Sequence, residues 1–342
     1  MRIIFFFSIF ASSNDEIRQK NTNAMKQTIY VFALSFLLAA FMGCQQSDVE
    51  ILGIIATDEV DNYFDTTVEV SYCDNSKMYY HLLSDTTSEV VNYYWFYTDQ
   101  EEQSPWIYRG DIVIPDCFVH NGKTYKVTCI GEGAFKASVQ NHELVSLVSS
   151  VEMPNTIDTI RKSAFRGCKH LTSIDIPSSV KYIGDGAFAG SGLTSVVIPS
   201  SVNGFGNNVF SSTRLTSVEI PESMEKIPYG MFSMCYSLTS VTLHDHITVI
   251  GDEVFYNTRI TSFEIPKSVE YLGVNPLDDC FSLTTLICRP TTPPEKDPNS
   301  QYYEDCFKLN NAVERILVPA QSVELYKESH FWRFYKDIIV GM

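Results

Sequence analysis

A phenylalanine recurs along the chain at nearly constant intervals, and this regularity limits the available folds more than any other feature. The residues are Phe165, Phe188, Phe210, Phe232 and Phe255, separated by 23, 22, 22 and 23 positions. Such a period is typical of stacked repeats, in which no single repeat buries its apolar side chains alone. We therefore expect one repetitive unit rather than the two globular domains that 342 residues would otherwise suggest.

A second motif keeps the same step. It reads LTSIDIP from Leu171, LTSVVIP from Leu193, LTSVEIP from Leu215, LTSVTLH from Leu238 and ITSFEIP from Ile260. Its alternation of apolar and polar positions predicts a half-buried strand, and the proline that ends most copies predicts where the strand stops. The stretch that carries the phenylalanine, such as YIGDGAFAGSG, is too short for a full helix and predicts a helical or 3-10 turn. The predicted fold is a leucine-rich repeat solenoid, with one short parallel strand and one such turn in each repeat of 22 to 23 residues.

The whole repeat, IGDGAFAGSGLTSVVIPSSV, resembles the BspA-type leucine-rich repeats of surface proteins from Bacteroides-like bacteria and some protists. The resemblance rests on the AF pair, the LTS tripeptide and the IPSSV ending, and it covers roughly residues 105 to 340. The segment from Tyr108 to Phe135, with Asn121-Gly122 as a two-residue hairpin turn, is similar to the family's N-terminal entry. The tail from Val318 is similar to its C-terminal cap. This likeness implies a surface protein that adheres to host matrix proteins or to other cells.

Two apolar runs lie near the N-terminus, at residues 3–11 and 29–42, and both are shorter than the roughly 20 residues that a membrane-spanning helix needs. The second follows Met25 and Lys26 and ends in Gly43-Cys44, which is the pattern of a signal segment. It resembles a bacterial lipoprotein signal, and this implies lipid attachment at Cys44 and a place in the cell envelope, at the outer membrane or cell surface. The alternative is ordinary cleavage and secretion, with Cys44 unmodified. Residues 1–24 are either an extended start of the signal or lie before the true start at Met25.

The pattern of the sequence changes at four points and predicts five regions. Residues 1–43 form the signal segment, and residues 44–62, which are acidic and lack periodicity, form a flexible tether. Residues 63–129 are rich in Tyr, Val and Trp and predict a small β-rich N-terminal cap. The repeats occupy residues 130–324 and are interrupted by a proline-rich loop at 289–300, and residues 325–342 form a C-terminal cap.

Charge and motif content exclude several classes of function. The chain has 41 acidic and 25 basic side chains, a formal charge of −16, which argues against nucleic-acid binding. Residues 1–43 hold four of the basic and two of the acidic side chains, so the remainder carries −18 and should contact a membrane only through its lipid. Neither a G-x-S-x-G elbow nor a phosphate-binding glycine loop occurs. We therefore predict no enzymatic activity, no cofactor and a monomeric protein.

Nine cysteines in an exported chain raise the question of disulfides. Three of them, Cys168, Cys235 and Cys280, each lie three residues before a repeat leucine and so predict one buried column of small apolar side chains. In the N-terminal part, a disulfide between two of the residues Cys73, Cys117 and Cys129 is an alternative that the sequence allows.

The triplet His244-Asp245-His246 has the residue types that ligate zinc. It fills the place that Pro199-Ser200-Ser201 takes in another repeat, where the pattern predicts a solvated turn. We therefore predict no metal site.

The best candidate for binding is the outer surface of the LTS segments, which we call the open face. It combines two hydroxyl columns with a mixed column that contains carboxylates. The predicted residues are Thr172, Ser173, Asp175, Thr194, Ser195, Val197, Thr216, Ser217, Glu219, Thr239, Ser240, Thr242, Thr261, Ser262 and Glu264. Such columns favour an extended protein ligand held over several repeats, with a surface glycan as the alternative ligand. Because sheet hydroxyls also bond to one another or to water, only the collective face carries the binding hypothesis.

Overall fold

The computed structural model describes residues 49–50, 67–72, 77–91, 108–140, 143–145, 147–300, 308–310 and 312–342. The signal segment, the lipidation site predicted at Cys44 and most of the predicted tether lie outside these residues. The described residues therefore comprise the repeats and the elements that flank them.

The phenylalanine column is the centre of the apolar core. Phe165 and Phe188 stack with their ring centroids 5.2 Å apart and their planes 2° from parallel. The same stacking extends from Phe135 to Phe255 in steps of 5.2 to 5.8 Å, with planes no more than 8° apart. All these rings are buried. The predicted column is thus confirmed, with successive repeats packed directly on one another.

The LTS segments and two strands that follow them form parallel strands in the later repeats, and we call this series the first ladder. Its strands are Ser217–Glu219, Ser240–Thr242, Ser262–Ile265, Thr285–Cys288, Arg315–Val318 and Ile339–Gly341. The first two pair with each other and the last four pair in order, without pairing between Ser240–Thr242 and Ser262–Ile265. An earlier pair, Arg109–Val113 and Leu147–Glu152, is also parallel. The LTS segments that begin at Leu171 and Leu193 form no strand in the structure, and single amide bonds such as Thr194 to the Thr172 carbonyl link them. The prediction of a strand is therefore correct for most repeats and wrong for these two.

A second ladder of parallel strands runs beside the first. Its strands are Thr159–Ile160, Tyr182–Ile183, Gly204–Phe205, Lys226–Ile227, Val249–Ile250, Tyr271–Leu272 and Glu295–Lys296. Each pairs in register with its neighbour one repeat along, except between Gly204–Phe205 and Lys226–Ile227. The prediction of one strand per repeat is therefore wrong, because most repeats contribute a second, two-residue strand.

The phenylalanine segments are neither helical nor 3-10 turns, and this corrects the prediction. Around Phe165, alternate amides bond within the segment, as Arg166 does to the Ser163 carbonyl, while the Phe165 amide donates to the Ala187 carbonyl of the next repeat. A 3-10 helix would use every amide internally. Left-handed residues stand two positions before and two after the ring, here Ser163 at φ 56° and Gly167 at φ 76°, and they interrupt any helix. The segment is a row of turns that hydrogen-bonds each repeat to the next.

Antiparallel strands precede the repeats, as predicted. Thr67–Tyr72, Lys77–Leu82 and Thr87–Val91 pair in order, and the two-residue strand Val49–Glu50 pairs with the first of them. The last of them pairs in parallel with Lys123–Ile130, which pairs in turn with Thr159–Ile160. The N-terminal strands therefore continue the second ladder. A small hairpin of Ser138–Gln140 and Glu143–Val145 follows Phe135 in the first repeat.

Cys117–His120 and Lys123–Ile130 form the predicted hairpin around Asn121-Gly122. Both turn residues have positive φ, 50° at Asn121 and 74° at Gly122, as a type I′ turn requires. Substitution of Gly122 by Ala should therefore lower the free energy of unfolding by about 1 to 2 kcal/mol, the cost of a left-handed non-glycine residue. An added Cβ at Gly122 would meet no atom within 4 Å, so backbone strain is the whole effect. Chemical denaturation measures it, and Asn121→Gly should change little. Equal losses in the two variants would contradict this account.

The proline-rich segment at 289–300 is only partly the predicted loop excursion, because Glu295–Lys296 within it form the last strand of the second ladder. Glu295 and Asp297 donate their amides to the carbonyls of Glu270 and Leu272. The tail that follows contains the 3-10 helix Ala320–Ser322, the α-helix Val323–Glu328 and the 3-10 helix Arg333–Tyr335.

Candidate functional site

All fifteen residues predicted for the open face are exposed to solvent. Both hydroxyl columns point outward, although strict alternation would turn one of them inward. The reason is that the strand begins at the serine, as in Ser217–Glu219, so that the threonine before it lies in the preceding bend. Val197 is 81% exposed, more than any other large apolar side chain among the described residues.

The two hydroxyl columns differ in their hydrogen bonds. The hydroxyls of Thr194 and Thr239 donate to the carbonyls of Thr172 and Thr216 in the preceding repeat, both at 3.2 Å. Among the residues that the structure describes, the hydroxyls of the serine column have no hydrogen-bond partner. These serines are Ser173, Ser195, Ser217, Ser240 and Ser262. The serine column therefore remains available to a ligand, whereas the threonine column partly serves the fold.

Carboxylates form the far edge of the open face. Asp175, Glu219 and Glu264 stand on every second repeat, and Glu219 is the register partner of Thr242. Glu264 is partly neutralised by Arg289, which donates from Nε at 2.8 Å and from Nη2 at 3.3 Å. This edge of the open face is thus acidic, and its Glu264 pairs with a cation toward the C-terminal end.

The opposite edge carries a feature that the sequence analysis missed. The residue that directly follows the buried column position is exposed in four successive repeats. These four residues, which we call the row, are Arg214, Tyr236, Arg259 and Phe281. The sequence contains these residues in the fragments STRLTS, CYSLTS, NTRITS and CFSLTS. Because the position alternates between arginine and an aromatic residue, it does not form a column of one residue type.

The predicted cysteine column is confirmed, and its thiols do more than pack. Cys235 and Cys280 are buried and donate to the carbonyls of Phe210 and Phe255 in the preceding repeat, at 3.2 and 3.0 Å. Thr213 lies 3.2 Å from the Cys235 sulfur, so hydroxyls alternate with thiols along the column. Burial raises the pKa of both thiols. The column stabilises the contact between repeats and has no nucleophilic character.

Cys129 carries a free thiol, so it does not form the disulfide left open for it, and Cys73 lies outside the described residues. Cys129 lies beside the buried Glu89, with 3.5 Å between its sulfur and Oε2. Glu89 also contacts Arg161 at 3.1 Å and His81 at 3.2 Å, which links the N-terminal strands to the first repeats. A reactive cysteine needs a lowered pKa, and this one has the reverse. The cluster is a structural contact.

Burial, reinforced by the negative charge of Glu89, raises the pKa of the Cys129 thiol from 9.0 to about 12. The folded chain then keeps this proton where the unfolded chain loses it, so the contribution to stability is complete below pH 9 and is lost progressively toward pH 12. Between pH 9 and 10 the free energy of unfolding should fall by about 1 kcal/mol more in the wild type than in Cys129→Ala. Denaturant titrations at both pH values measure the difference. Parallel pH profiles would contradict the assignment.

His244 and Asp245 of the His244-Asp245-His246 triplet make contacts within the fold. The Nε2 of His244 lies 2.8 Å from the Pro221 carbonyl, which can only accept, and Nδ1 accepts from the His246 amide at 3.1 Å. Both nitrogens of His244 are therefore occupied. Asp245 pairs with Lys267 at 2.7 Å, which lowers the pKa of its carboxyl. Within the described ranges, no three His, Cys, Asp or Glu residues are grouped so that they could hold a metal ion.

In the part of the chain that the structure describes, no helix has the length and apolar character needed to cross a bilayer.

Comparisons with known proteins agree with this architecture. A leucine rich cell surface protein from Faecalibacterium prausnitzii is 27% identical, with a TM-score of 0.51 over 72% of this chain and 70% of that one. Leucine-rich repeat proteins from Bacteroides ovatus and T. pallidum are 19% and 20% identical, both with a TM-score of 0.40. They cover 71% and 60% of this chain and 85% and 86% of their own. No curated protein is similar enough to count as a relative.

The family comparison matches residues 128–258, 158–284 and 203–333 to the family described as BspA type Leucine rich repeat region, with six copies. Together these residues make up more than half of the chain, and they hold the phenylalanine column, the second ladder and all strands of the first ladder except Ile339–Gly341. Neither this family nor the similar structures indicate a catalytic family. The chain belongs to the BspA-type leucine-rich repeat family.

Proposed function

We propose that this chain is a lipid-anchored, cell-surface adhesion protein whose open face binds another protein. The repeats form a continuous solenoid, and the mature chain begins at Cys44, which carries the lipid. The partner is a matrix protein of a host or a protein on another cell. The protein has no enzymatic activity and works as a monomer.

The open face supports this proposal. Five successive repeats expose the same serine position, and its hydroxyls are without an intramolecular partner in the described part of the chain. A single exposed hydroxyl contributes little to binding, but a series at a constant step lets weak contacts add up along an extended ligand. The similar structure from F. prausnitzii is described as a cell surface protein, which agrees with the proposed location.

Binding to immobilised, purified extracellular-matrix proteins tests the function. Surface plasmon resonance should show saturable binding of the wild type to at least one of them. Replacement of the serine column by alanine, one repeat at a time, should weaken that binding step by step. A control variant with Lys181→Ala and Glu225→Ala, two exposed residues outside the open face, should bind as the wild type does. Binding that survives replacement of the complete serine column would refute the proposed site.

Anchoring needs a separate test. Cells that express the wild type should incorporate a labelled fatty acid into the protein, and Cys44→Ser should remove the label. Protease treatment of intact cells should then degrade the anchored protein. Label retained in Cys44→Ser, or full protection from protease, would contradict a surface lipoprotein.

A further inference from the structure

The row of Arg214, Tyr236, Arg259 and Phe281 is continuous across four repeats. Each member directly follows a residue of the buried thiol and hydroxyl column, namely Thr213, Cys235, Thr258 and Cys280. Neighbours in that column touch, with 3.2 Å between Thr213 Oγ1 and Cys235 Sγ and the same distance between Thr258 and Cys280. The row therefore presents cation, ring, cation and ring on consecutive repeats, along the edge of the open face opposite the carboxylates.

The rings and the guanidinium groups of the row are open to a ligand. Phe281 is 70% exposed and Tyr236 53% exposed, both large for aromatic side chains. Within the described residues, the guanidinium groups of Arg214 and Arg259 form no ion pair. By contrast, Arg289 pairs with Glu264 and Arg161 with Glu89. In a chain with a formal charge of −16, two unpaired arginines beside two exposed rings favour an acidic partner. Tyr and Arg are also residue types that supply most of the energy at protein interfaces.

The step of the repeats restricts the conformation of that partner. Strands that pair in a sheet lie about 4.8 Å apart, and the phenylalanines of these repeats stack 5.8 Å apart, so two rings on alternate repeats are separated by about 10 to 12 Å. An extended β-strand laid across the repeats presents side chains to one face every ~6.8 Å, which is much shorter. A polyproline II segment repeats every three residues, or about 9.3 Å, and is the nearer match. Aromatic surfaces commonly bind such segments because their backbone is already ordered.

We propose that the row binds a proline-rich, acidic polypeptide segment in the polyproline II conformation. Tyr236 and Phe281 contact its proline faces at a three-residue interval, and Arg214 and Arg259 pair with one carboxylate in each triplet. The inference rests on the proposed protein-binding function and assigns the chemistry of the partner to one edge of the open face.

The probe is a fluorescein-labelled peptide of about six Pro-Pro-Glu triplets, and fluorescence anisotropy measures its binding to the purified protein. We expect saturable binding that weakens as salt is added. The double variants Tyr236→Ala with Phe281→Ala, and Arg214→Gln with Arg259→Gln, should each lose at least about tenfold in affinity. The control Lys181→Ala with Glu225→Ala should bind as the wild type does. A Pro-Pro-Lys peptide should not bind, and a Gly-Ser-Glu peptide of equal charge should bind about tenfold more weakly because it is flexible.

Two results would overturn the inference. Equal affinity for the Gly-Ser-Glu and Pro-Pro-Glu peptides would remove the polyproline argument, and unchanged affinity in the ring variant would remove the row. A third outcome would assign the row to a glycan. In that case hyaluronan or dextran binds to the wild type, this binding is lost in the ring variant Tyr236→Ala with Phe281→Ala, and the peptide does not bind. If a matrix protein still binds through the serine column but ignores both row variants, the row proposal fails and the proposed function stands. The ring variant should keep the wild-type denaturation midpoint, because both rings are exposed.

Discussion

Phe210→Ala should lower the free energy of unfolding by about 3 to 5 kcal/mol, a large part of what a protein of this kind has. The ring is fully buried between Phe188 at 5.4 Å and Phe232 at 5.8 Å, so truncation leaves a cavity that borders two other repeats. Because a repeat is stabilised chiefly by its neighbours, the loss should weaken both adjoining interfaces. Urea titration followed by circular dichroism measures the effect.

Two variants separate stacking from burial. Phe210→Leu keeps most of the apolar volume but not the parallel ring contacts, so we expect a loss of about 1 to 1.5 kcal/mol. Phe281→Ala removes a ring that is mostly exposed and should change stability by no more than about 0.5 kcal/mol. If Phe210→Ala and Phe281→Ala cost the same, the phenylalanine column is not the core.

The two columns that recur at a fixed step were predictable from the sequence. Phe188 and Cys235 each belong to a series in which one residue type recurs at the same position of the repeat. Positions that are buried in every repeat therefore appear as a periodic pattern in the sequence. The turn chemistry was predictable at Asn121-Gly122 for a different reason, because only a few residues tolerate two positive φ angles in succession.

The second ladder was not predictable by the same reasoning. Its strands have two residues each, such as Tyr182–Ile183, and two residues are too few for an alternating pattern to appear. The shape of the phenylalanine turns was hidden as well, because Ser163 and Glu253 adopt the left-handed conformation that sequence reasoning assigns first to glycine. What fixes these positions is the hydrogen bond to the next repeat, and that contact lies about 22 residues away in sequence.

The proline-rich strand shows how composition can mislead. Prolines normally indicate a loop because they cannot donate to a ladder. Pro294 takes the register position of Glu270, whose amide donates to the Thr248 carbonyl one repeat earlier. The amide of the next residue, Glu295, donates to the Glu270 carbonyl instead, and Asp297 continues the ladder. The open face was predicted correctly as exposed, yet the partition between a structural threonine column and an available serine column depends on distances to the preceding repeat. The row was not predicted because its members alternate between arginine and an aromatic side chain.

The C-terminal tail takes over the role that a further repeat plays elsewhere in the fold. Interior repeats receive amide donors from the next repeat, whereas the carbonyls of the segment at 289–300 receive side-chain donors from the tail. Ser322 donates to Thr291 at 2.7 Å, and Tyr326 donates to Pro290 at 2.9 Å. The indole of Trp332 donates to Pro294 at 3.0 Å. Buried carbonyls without such donors would be costly, so the tail is part of the repeat architecture.

Trp332→Ala should therefore destabilise the protein by about 3 to 5 kcal/mol, since it removes a fully buried indole and leaves the Pro294 carbonyl without its donor. Trp332→Phe keeps an aromatic ring but no N–H group and should cost about 1 to 2 kcal/mol less than the alanine variant. Phe334→Ala, two residues away and 67% exposed, is the matched control and should be nearly neutral. Hydrogen exchange should show the loss first at residues 285–300 and only weakly near Phe165, because the repeats are coupled through their nearest neighbours. Uniform loss of protection along all repeats would instead mean that the tail stabilises the chain as a single cooperative unit.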